Sequence, residues 1–468
     1  MASQIHVAMV PWLAFGHLIP FLQLSIALAK AGVRVSFVSS PKNIQRLPKF
    51  PPHLQHLINL VALPLPAVDL LPEGAEATTD IPFEKIQYLK IAYDLLKNPF
   101  KQFVAGALPD WILIDFSAPW AAEVAEESRI PLVYFSVFST AKCAFFGPPK
   151  YLAGNGRTSV RPSPESMTCP PDWVSFPSKV AYRRHEAIAM HAGVYGENAS
   201  GITDGERLAK VVQTCQAVAI RTCAEFEGEY LNLHRELIGK PVIPVGLLLP
   251  EKTEEKGNTD VSWSEIFKWL DERKPKSVVF VGFGSECKLS RDQVYEIACG
   301  LELSELPFLW ALRKPSWAID DADAQPPEFG RRTKGQGVVC MGWAPQMEIL
   351  AHPSIGGSLF HAGWGSAIEA LQFGHCLVVL PFIIDQGLNA RLLVEKGLGV
   401  EVERGEDGTF GGEDIANSLR MAMVSEEGEQ LRARAKEAAV IFGDGKLHQQ
   451  HYVQGFVEYL KNGGVVQK

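Results

Sequence analysis

Residues 5–10 and 277–282 are short apolar runs that pass directly into glycine-containing loops, Ala14-Phe-Gly-His17 and Gly282-Phe-Gly-Ser285. A strand that is apolar on both sides must be covered on both faces, which is the condition of a strand inside a parallel sheet clad in helices. Further runs of this kind lie at 33–38, 111–115 and 132–135, and at 308–312, 338–341 and 377–380. Helical patterns at 19–31, 82–105 and 292–303 alternate with them, while 11–17 reads as a loop. With 468 residues, each half is long enough for a complete doubly wound sheet. The predicted fold class is therefore α/β, with two Rossmann-like domains. Open parallel sheets bind ligands beyond the carboxyl ends of their strands, so two such sheets predict sites facing across a cleft.

The domain boundary is marked by a change in composition. Pro244-Val-Gly-Leu-Leu-Leu-Pro250 is followed by a polar, charged run at 251–260. The expected division is 1–245, a linker at 246–260, a second domain at 261–445 and a terminal segment at 446–468. An amphipathic helix is expected at 448–460. Residues 154–180, rich in Pro, Ser and Gly, read as a loop across the surface.

Charge narrows the function. The net charge of −8 argues against a nucleic-acid binder that relies on a basic surface and against a polybasic membrane anchor. The apolar stretch at 5–29 has no basic residue before it and is interrupted by Pro11, Gly16, His17 and Pro20, so it is not read as a signal peptide. No uninterrupted apolar run reaches 18 residues. The eight cysteines include no C-x-x-C pair and no zinc-ligand pattern with histidine, so they read as reduced thiols of a cytoplasmic protein. Asp321 and Asp323 could suggest a metal site, but their polar, proline-ended surroundings read as a solvated loop. No metal is expected.

Two places carry chemistry. His17 lies just past the first strand and Asp115 ends another, so adjacent parallel strands would bring a general base and its carboxylate partner together. The alternative is that each simply caps a turn or a helix. The second place runs from Trp343 to Gln386. There His361-Ala-Gly-Trp-Gly-Ser366 opens an apolar helical stretch, which is a setting for an anion. Glu369 follows Ser366 at helical spacing and could take ribose hydroxyls, Trp343 offers a flat face for a base with Gln346 as a polar handle, and Asp385 and Gln386 can bond sugar hydroxyls.

This segment resembles the signature box of the plant secondary-product UDP-glycosyltransferases. The matching elements are Trp343-Ala-Pro-Gln346, His352, His361, Gly363-Trp364, Ser366, Glu369, Gly374, Pro381 and Asp385-Gln386. Gly16-His17-x-x-Pro20 and Gly284-Ser285 extend the resemblance along the chain. It implies the GT-B fold, with acceptor in the first half, donor in the second, and a final helix crossing back onto the first domain. By matched position, Trp343 stacks on uracil while the Ala344 backbone reads its edge, and Gln346 and Glu369 hold the ribose. His361, Ser366 and Ser285 bind the diphosphate, and Trp364, Asp385 and Gln386 touch the sugar. His17 becomes the base and Asp115 its charge partner. The family usually has Asn after Trp364, where this chain has Gly365; a backbone N–H could replace the lost side-chain contact, since Gly allows closer approach.

Pro11–Pro20, Phe308–Pro315 and Leu371-Gln-Phe-Gly-His375 further resemble the branch-forming subgroup, which adds a sugar to a sugar already on a glycoside. The implied partners are a UDP-sugar, with Gln386 favouring glucose, and a lipophilic terpenoid, steroidal or flavonoid glycoside. The chain is expected to be a monomer without cofactor. Phe15, Phe116, Phe145, Phe146, Met190 and His191 are candidate acceptor walls, and core packing is the other explanation for each. Transfer directly to an aglycone, a silent UDP-sugar binder and a nicotinamide oxidoreductase are the competing functions; the incomplete glycine fingerprint disfavours the last.

Overall fold

A computed structural model describes residues 4–250 and 261–464, so residues 251–260 of the expected linker lie outside the described residues. Among the described residues the strands form two sheets, and every pairing is parallel. The first sheet contains β1 (His6–Val10), β2 (Arg34–Ser39), β3 (Ile58–Ala62), β4 (Trp111–Ile114), β5 (Leu132–Ser136), β6 (Ala217–Ile220) and β7 (Val242–Pro244), in the order β3-β2-β1-β4-β5-β6-β7. The second contains β8 (Val278–Gly282), β9 (Phe308–Leu312), β10 (Gly337–Met341), β11 (Ile355–Phe360), β12 (Cys376–Val379) and β13 (Gly399–Glu401), in the order β10-β9-β8-β11-β12-β13. This is the pair of doubly wound sheets that the sequence predicts.

Burial explains the apolar runs. Val7 and Met9 enter one core layer, and Ala8 and Val10 enter the layer on the other face. In β8, Val279 and Val281 face one layer while Val278 and Phe280 face the other. A further apolar cluster joins the halves: Phe145, Phe226 and Tyr230 pack in the same core as Phe360, Trp364 and Leu388.

Three local expectations are corrected. The stretch at 11–17 is not all loop, because a helix starts at Phe15 and runs to Lys30. The Ala14 carbonyl accepts from the N–H groups of His17 and Leu18 at 2.9 and 2.8 Å, so His17 stands on the first helical turn. Pro20 lies inside this helix, in its second turn, and has no N–H to give to the Gly16 carbonyl. The stretch at 154–180 does more than cross the surface, for it includes a helix at Gly154–Val160 and buries Arg161 and Met167. The Arg161 guanidinium donates to the Phe145 carbonyl at 2.9 Å. Finally, the amphipathic stretch at 448–460 is two pieces, a π-helical segment at Leu447–Val453 and an α-helix at Gln454–Lys461.

This terminal pair lies against the first sheet. Phe456, Val457 and Leu460 are buried in the layer that holds Val7 and Met9. The Trp111 indole N–H donates to the Leu460 carbonyl at 3.1 Å, and the Gln449 side chain donates to the Ala27 carbonyl at 2.9 Å. Phe456→Ala should cost about 3–5 kcal/mol, read as a lower unfolding midpoint in denaturant, because the layer around it cannot collapse fully into the space.

Two core histidines give stability a pH dependence. His375 bonds the Ser358 hydroxyl at 3.0 Å and the Leu350 carbonyl at 2.9 Å, and burial pushes its pKa down to about 3. Burial likewise pushes His234 down to about 4. The unfolded chain binds protons near pH 6.5 that the folded chain refuses, so stability is complete above that pH and declines as pH falls toward 4. Denaturant midpoints at pH 7 and pH 5 should show the lower value at pH 5.

Candidate active site

In each sheet the strand order reverses once, between β1 and β4 and between β8 and β11. Crossovers from such neighbours leave toward opposite faces, and a crevice opens at their carboxyl ends.

At the first reversal Val10 is paired with Ile114, so the segments that follow begin side by side. Asp115 is fully buried, and its Oδ2 lies 2.7 Å from His17 Nδ1. The same oxygen accepts from the Trp12 N–H at 3.0 Å, and Oδ1 accepts from the Phe116 N–H at 2.7 Å. Two backbone donors therefore fix the carboxylate before it meets the imidazole. The His17 ring is flanked by Phe116 and Phe138, with centroids at 5.5 and 5.3 Å. A carboxylate can only accept, so Nδ1 carries the proton and Nε2 holds the free lone pair.

At the second reversal Gly282 is paired with Phe360. His361 follows β11 with its ring held between two glycines. A Cβ on Gly284 would stand 2.9 Å from His361 Cε1, and one on Gly363 would stand 2.5 Å from Nε2, so neither position accepts a side chain. Burial pushes the His361 pKa down to about 4, and its Nδ1 is buried with no hydrogen-bond partner among the described residues. At neutral pH the ring is thus a neutral donor. Ala362 is in the left-handed region at φ 60°, a strained turn that delivers the chain into the helix Trp364–Leu371. Gly365 and Ser366 lie on its first turn, where backbone N–H groups have no helical acceptor. Ser285 sits in the turn after β8, beside Gly284, whose backbone packs on the His361 ring.

The other residues expected to hold the donor lie on the segments that follow β10, β11 and β12. Trp343 is 75% exposed, an unusual state for an indole. Ala344 follows it, with its carbonyl accepting from the Gln346 N–H at 2.8 Å. The Gln346 side chain donates to Glu369 at 2.7 Å, so this pair is already brought together. Burial raises the Glu369 pKa, an effect opposed by the Arg221 charge and by the Gln346 bond.

Trp364 differs from its expected role. Its side chain is buried, lies 5.7 Å from Phe226 in a stacked arrangement, and donates to the Arg221 carbonyl at 2.9 Å. The indole is a strut between the halves, and only the Trp364 backbone is left for a ligand. Gln386 is partly committed as well: its carbonyl accepts from the Phe382 and Ile383 N–H groups at 2.9 and 3.0 Å, and its NH2 group donates one hydrogen to Cys287 Sγ at 3.5 Å, which leaves one N–H without a partner. Asp385 is half-buried and accepts from the Asn389 side chain at 2.8 Å; desolvation raises its pKa, opposed first by the Lys142 charge. Among the proposed acceptor walls, Phe145 and Phe146 are core residues, and Phe145 meets Tyr182 edge-on at 5.6 Å. His352, part of the sequence match, is turned to Ser354 and Asp271.

Several neighbours have no sequence signal of their own. Glu286 accepts from the Thr78 hydroxyl at 3.0 Å across the two halves, and burial raises its pKa. Asn389 links the Ser139 hydroxyl, the Ala362 carbonyl and Asp385. The Lys142 amine lies 3.5 Å from the Phe138 ring centroid. Only the placement of Glu286 directly after Gly284-Ser285 could have drawn attention to it. Asp323 accepts from the Ile319 N–H at 3.0 Å in an exposed loop, and no group of three or more His, Cys, Asp or Glu among the described residues is placed to hold a metal ion.

Comparison with known proteins identifies the family and the fold. A family model described as UDP-glucoronosyl and UDP-glucosyl transferase matches residues 262–429. UDP-glycosyltransferase 91A1 from Arabidopsis thaliana is 45% identical over 463 residues, covering 98% of this chain and 97% of that one. Soyasaponin III rhamnosyltransferase from Glycine max is 42% identical over 467 residues, covering 98% and 95%. The solved structure of Glycyrrhiza uralensis UGT73P12 with glycyrrhetinic acid 3-O-monoglucuronide shares the fold, at a TM-score of 0.79 and 23% identity over 98% of this chain and 96% of that one. Two sheets with facing reversals, a family match across the second and full-length relatives above 40% identity lead to one conclusion: the chain belongs to the plant family 1 UDP-glycosyltransferases and has their GT-B fold.

Proposed function

We propose that the enzyme moves a hexose from a UDP-sugar, with inversion, to a hydroxyl on the sugar of a lipophilic glycoside. The observation that carries this reading is the His17–Asp115 contact of 2.7 Å at the mouth of the cleft. His17 Nε2 takes the acceptor proton as the hydroxyl oxygen attacks the anomeric carbon. Asp115 stabilises the imidazolium that forms, and the backbone donors of Trp12 and Phe116 hold that carboxylate in place. UDP departs on the opposite face. The helix N-terminus at Ser366, the neutral His361 and Ser285 meet the charge that develops on the diphosphate. Trp343 takes the uracil beside the Ala344 backbone, Gln346 and Glu369 take the ribose, and Asp385 with the Gln386 NH2 group takes sugar hydroxyls.

A glycoside acceptor is supported by the Glycine max relative, which is named for a saponin. Gln386 favours glucose as the transferred sugar. Rhamnose is the second reading, favoured by that relative's name. The cysteines are all free and no helix among the described residues is long and apolar enough to cross a membrane, observations that fit the proposed cytoplasmic location.

Mass spectrometry on a matrix of UDP-glucose and UDP-rhamnose with terpenoid, steroidal and flavonoid glycosides and their aglycones tests the assignment. Products from glycosides are expected; products from aglycones alone would overturn the sugar-on-sugar reading, and no UDP release above background would overturn transfer. His17→Ala should lower kcat by about 10²–10⁴-fold while leaving the Kd for UDP within about twofold, measured by calorimetry. A parallel loss of UDP affinity would remove His17 from the role of base. Activity should be undiminished in excess chelator, since the proposed charge stabilisation uses protein donors throughout.

A further inference from the structure

Arg221 is one of the largest fully buried side chains, at 2% exposure, and nothing proposed above uses its charge. It follows β6 in the first half. Its Nε donates to the Leu247 carbonyl at 2.8 Å and its Nη2 to the Leu248 carbonyl at 3.2 Å. Nη1 makes no hydrogen bond among the described residues, and no carboxylate among them comes within ion-pair distance of the guanidinium. Glu369 acts on it only at longer range, and that carboxylate is already bonded to Gln346. Burial lowers the Arg221 pKa to about 10, so the group is still a cation at neutral pH.

The position of the free Nη1 gives this charge a direction. A Cβ built on Gly365 would stand 3.5 Å from it, with no other heavy atom within 4 Å. Gly365 is the second residue of the helix Trp364–Leu371, so the cation is aimed at the positive end of a helix. A buried cation beside a helix N-terminus is unfavourable on both counts, since the charge lacks a partner and the dipole repels it. The Trp364 indole nevertheless pins the two together, through its bond to the Arg221 carbonyl. One anion seated between them would satisfy both. The family's usual Asn would project its amide from position 365 into the region that Nη1 occupies here.

We propose that Arg221 is a diphosphate-binding residue contributed by the first half, which reaches past the bare face of Gly365 and supplies a charged hydrogen bond in place of the absent Asn side chain. This rests on the donor-site reading above. It deepens that reading, because the cation belongs to the half that carries the acceptor site. Diphosphate binding then pulls the two halves together at Gly365, and departure of UDP releases that tie. Arg221→Lys would not serve, since an ammonium cannot hold the Leu247 and Leu248 carbonyls and an anion in one planar fork.

The test is calorimetric titration of the full chain with UDP and with uridine, at low and high salt, for wild type, Arg221→Gln, Gly365→Asn and the double variant. Arg221→Gln should weaken UDP at least tenfold, leave uridine within twofold, and flatten the salt dependence. Gly365→Asn should also weaken UDP, because the amide competes with the guanidinium for the same space, and the double variant should recover most of the loss. Equal losses for UDP and uridine in Arg221→Gln would mark the residue as a structural strut and overturn the proposal. If Arg221→Gln does not fold, Gly365→Asn decides alone, and unchanged or tighter UDP binding in that variant overturns it. A wild-type chain that binds uridine but gains nothing from the diphosphate overturns it too, while one that binds neither brings down the donor-site reading itself.

Discussion

Two parallel pairings, β1 with β4 and β8 with β11, set the terms for everything else in this molecule. Each joins strands whose following segments must leave in opposite directions, so no helix can fill the space beyond their ends. Hydrogen-bond register then fixes which residues border that space. His17 and Asp115 are 98 residues apart in sequence, yet the register of Val10 on Ile114 makes them neighbours. The same logic brings the turn at Gly284 against the ring of His361. The candidate chemistry is thus a consequence of backbone pairing, with side chains chosen to suit the two crevices.

An acidic chain that handles a diphosphate has to place its favourable electrostatics locally. His361 is kept neutral by burial, so in the proposed role its hydrogen bond to a phosphate would carry no charge. Asp385, Glu369 and Glu286 are all desolvated around the cleft, and burial raises each of their pKa values. Each shift is also opposed: by the Lys142 charge for Asp385, by the Arg221 charge for Glu369, and by the Thr78 hydrogen bond and the Lys288 charge for Glu286. The cleft is therefore a region of compensated charge, in which the N–H groups at the helix start are not outweighed by bare carboxylates.

What could be read from the sequence depended on how local the signal was. Fully buried strands such as β1, β4 and β8 announce themselves by unbroken apolar runs. β3 is an edge strand with Asn59 in it, β6 is apolar but has only four residues, two of them Ala, β7 and β13 have three residues each, and β11 begins Ile-Gly-Gly, so these five carry too little side-chain pattern to be noticed. The segment from Trp343 to Gln386 was legible because its residues are close together in the chain. Trp364 shows the limit of such reading: the sequence places an indole beside the donor loop, but packing against Phe226 turns it into the contact between halves. Phe138, Asn389 and Glu286 were invisible for the converse reason, since each becomes relevant only through a partner on a distant element.

The return of the helix Gln454–Lys461 to the first sheet has a consequence for how the molecule is made. Trp111 and the Leu460 carbonyl it bonds are 349 residues apart, and the layer containing Val7 and Met9 is completed by Phe456 and Val457. On the ribosome the first half emerges early, but one face of its sheet, covered in part by the helix Phe15–Lys30, stays incomplete until the entire second half has been translated. The second half has no such debt to later sequence and can close its own layers as soon as β13 and the helices after it appear. Synthesis from the amino end is therefore paired with completion from the carboxyl end, and the first domain to be written is the last to be finished.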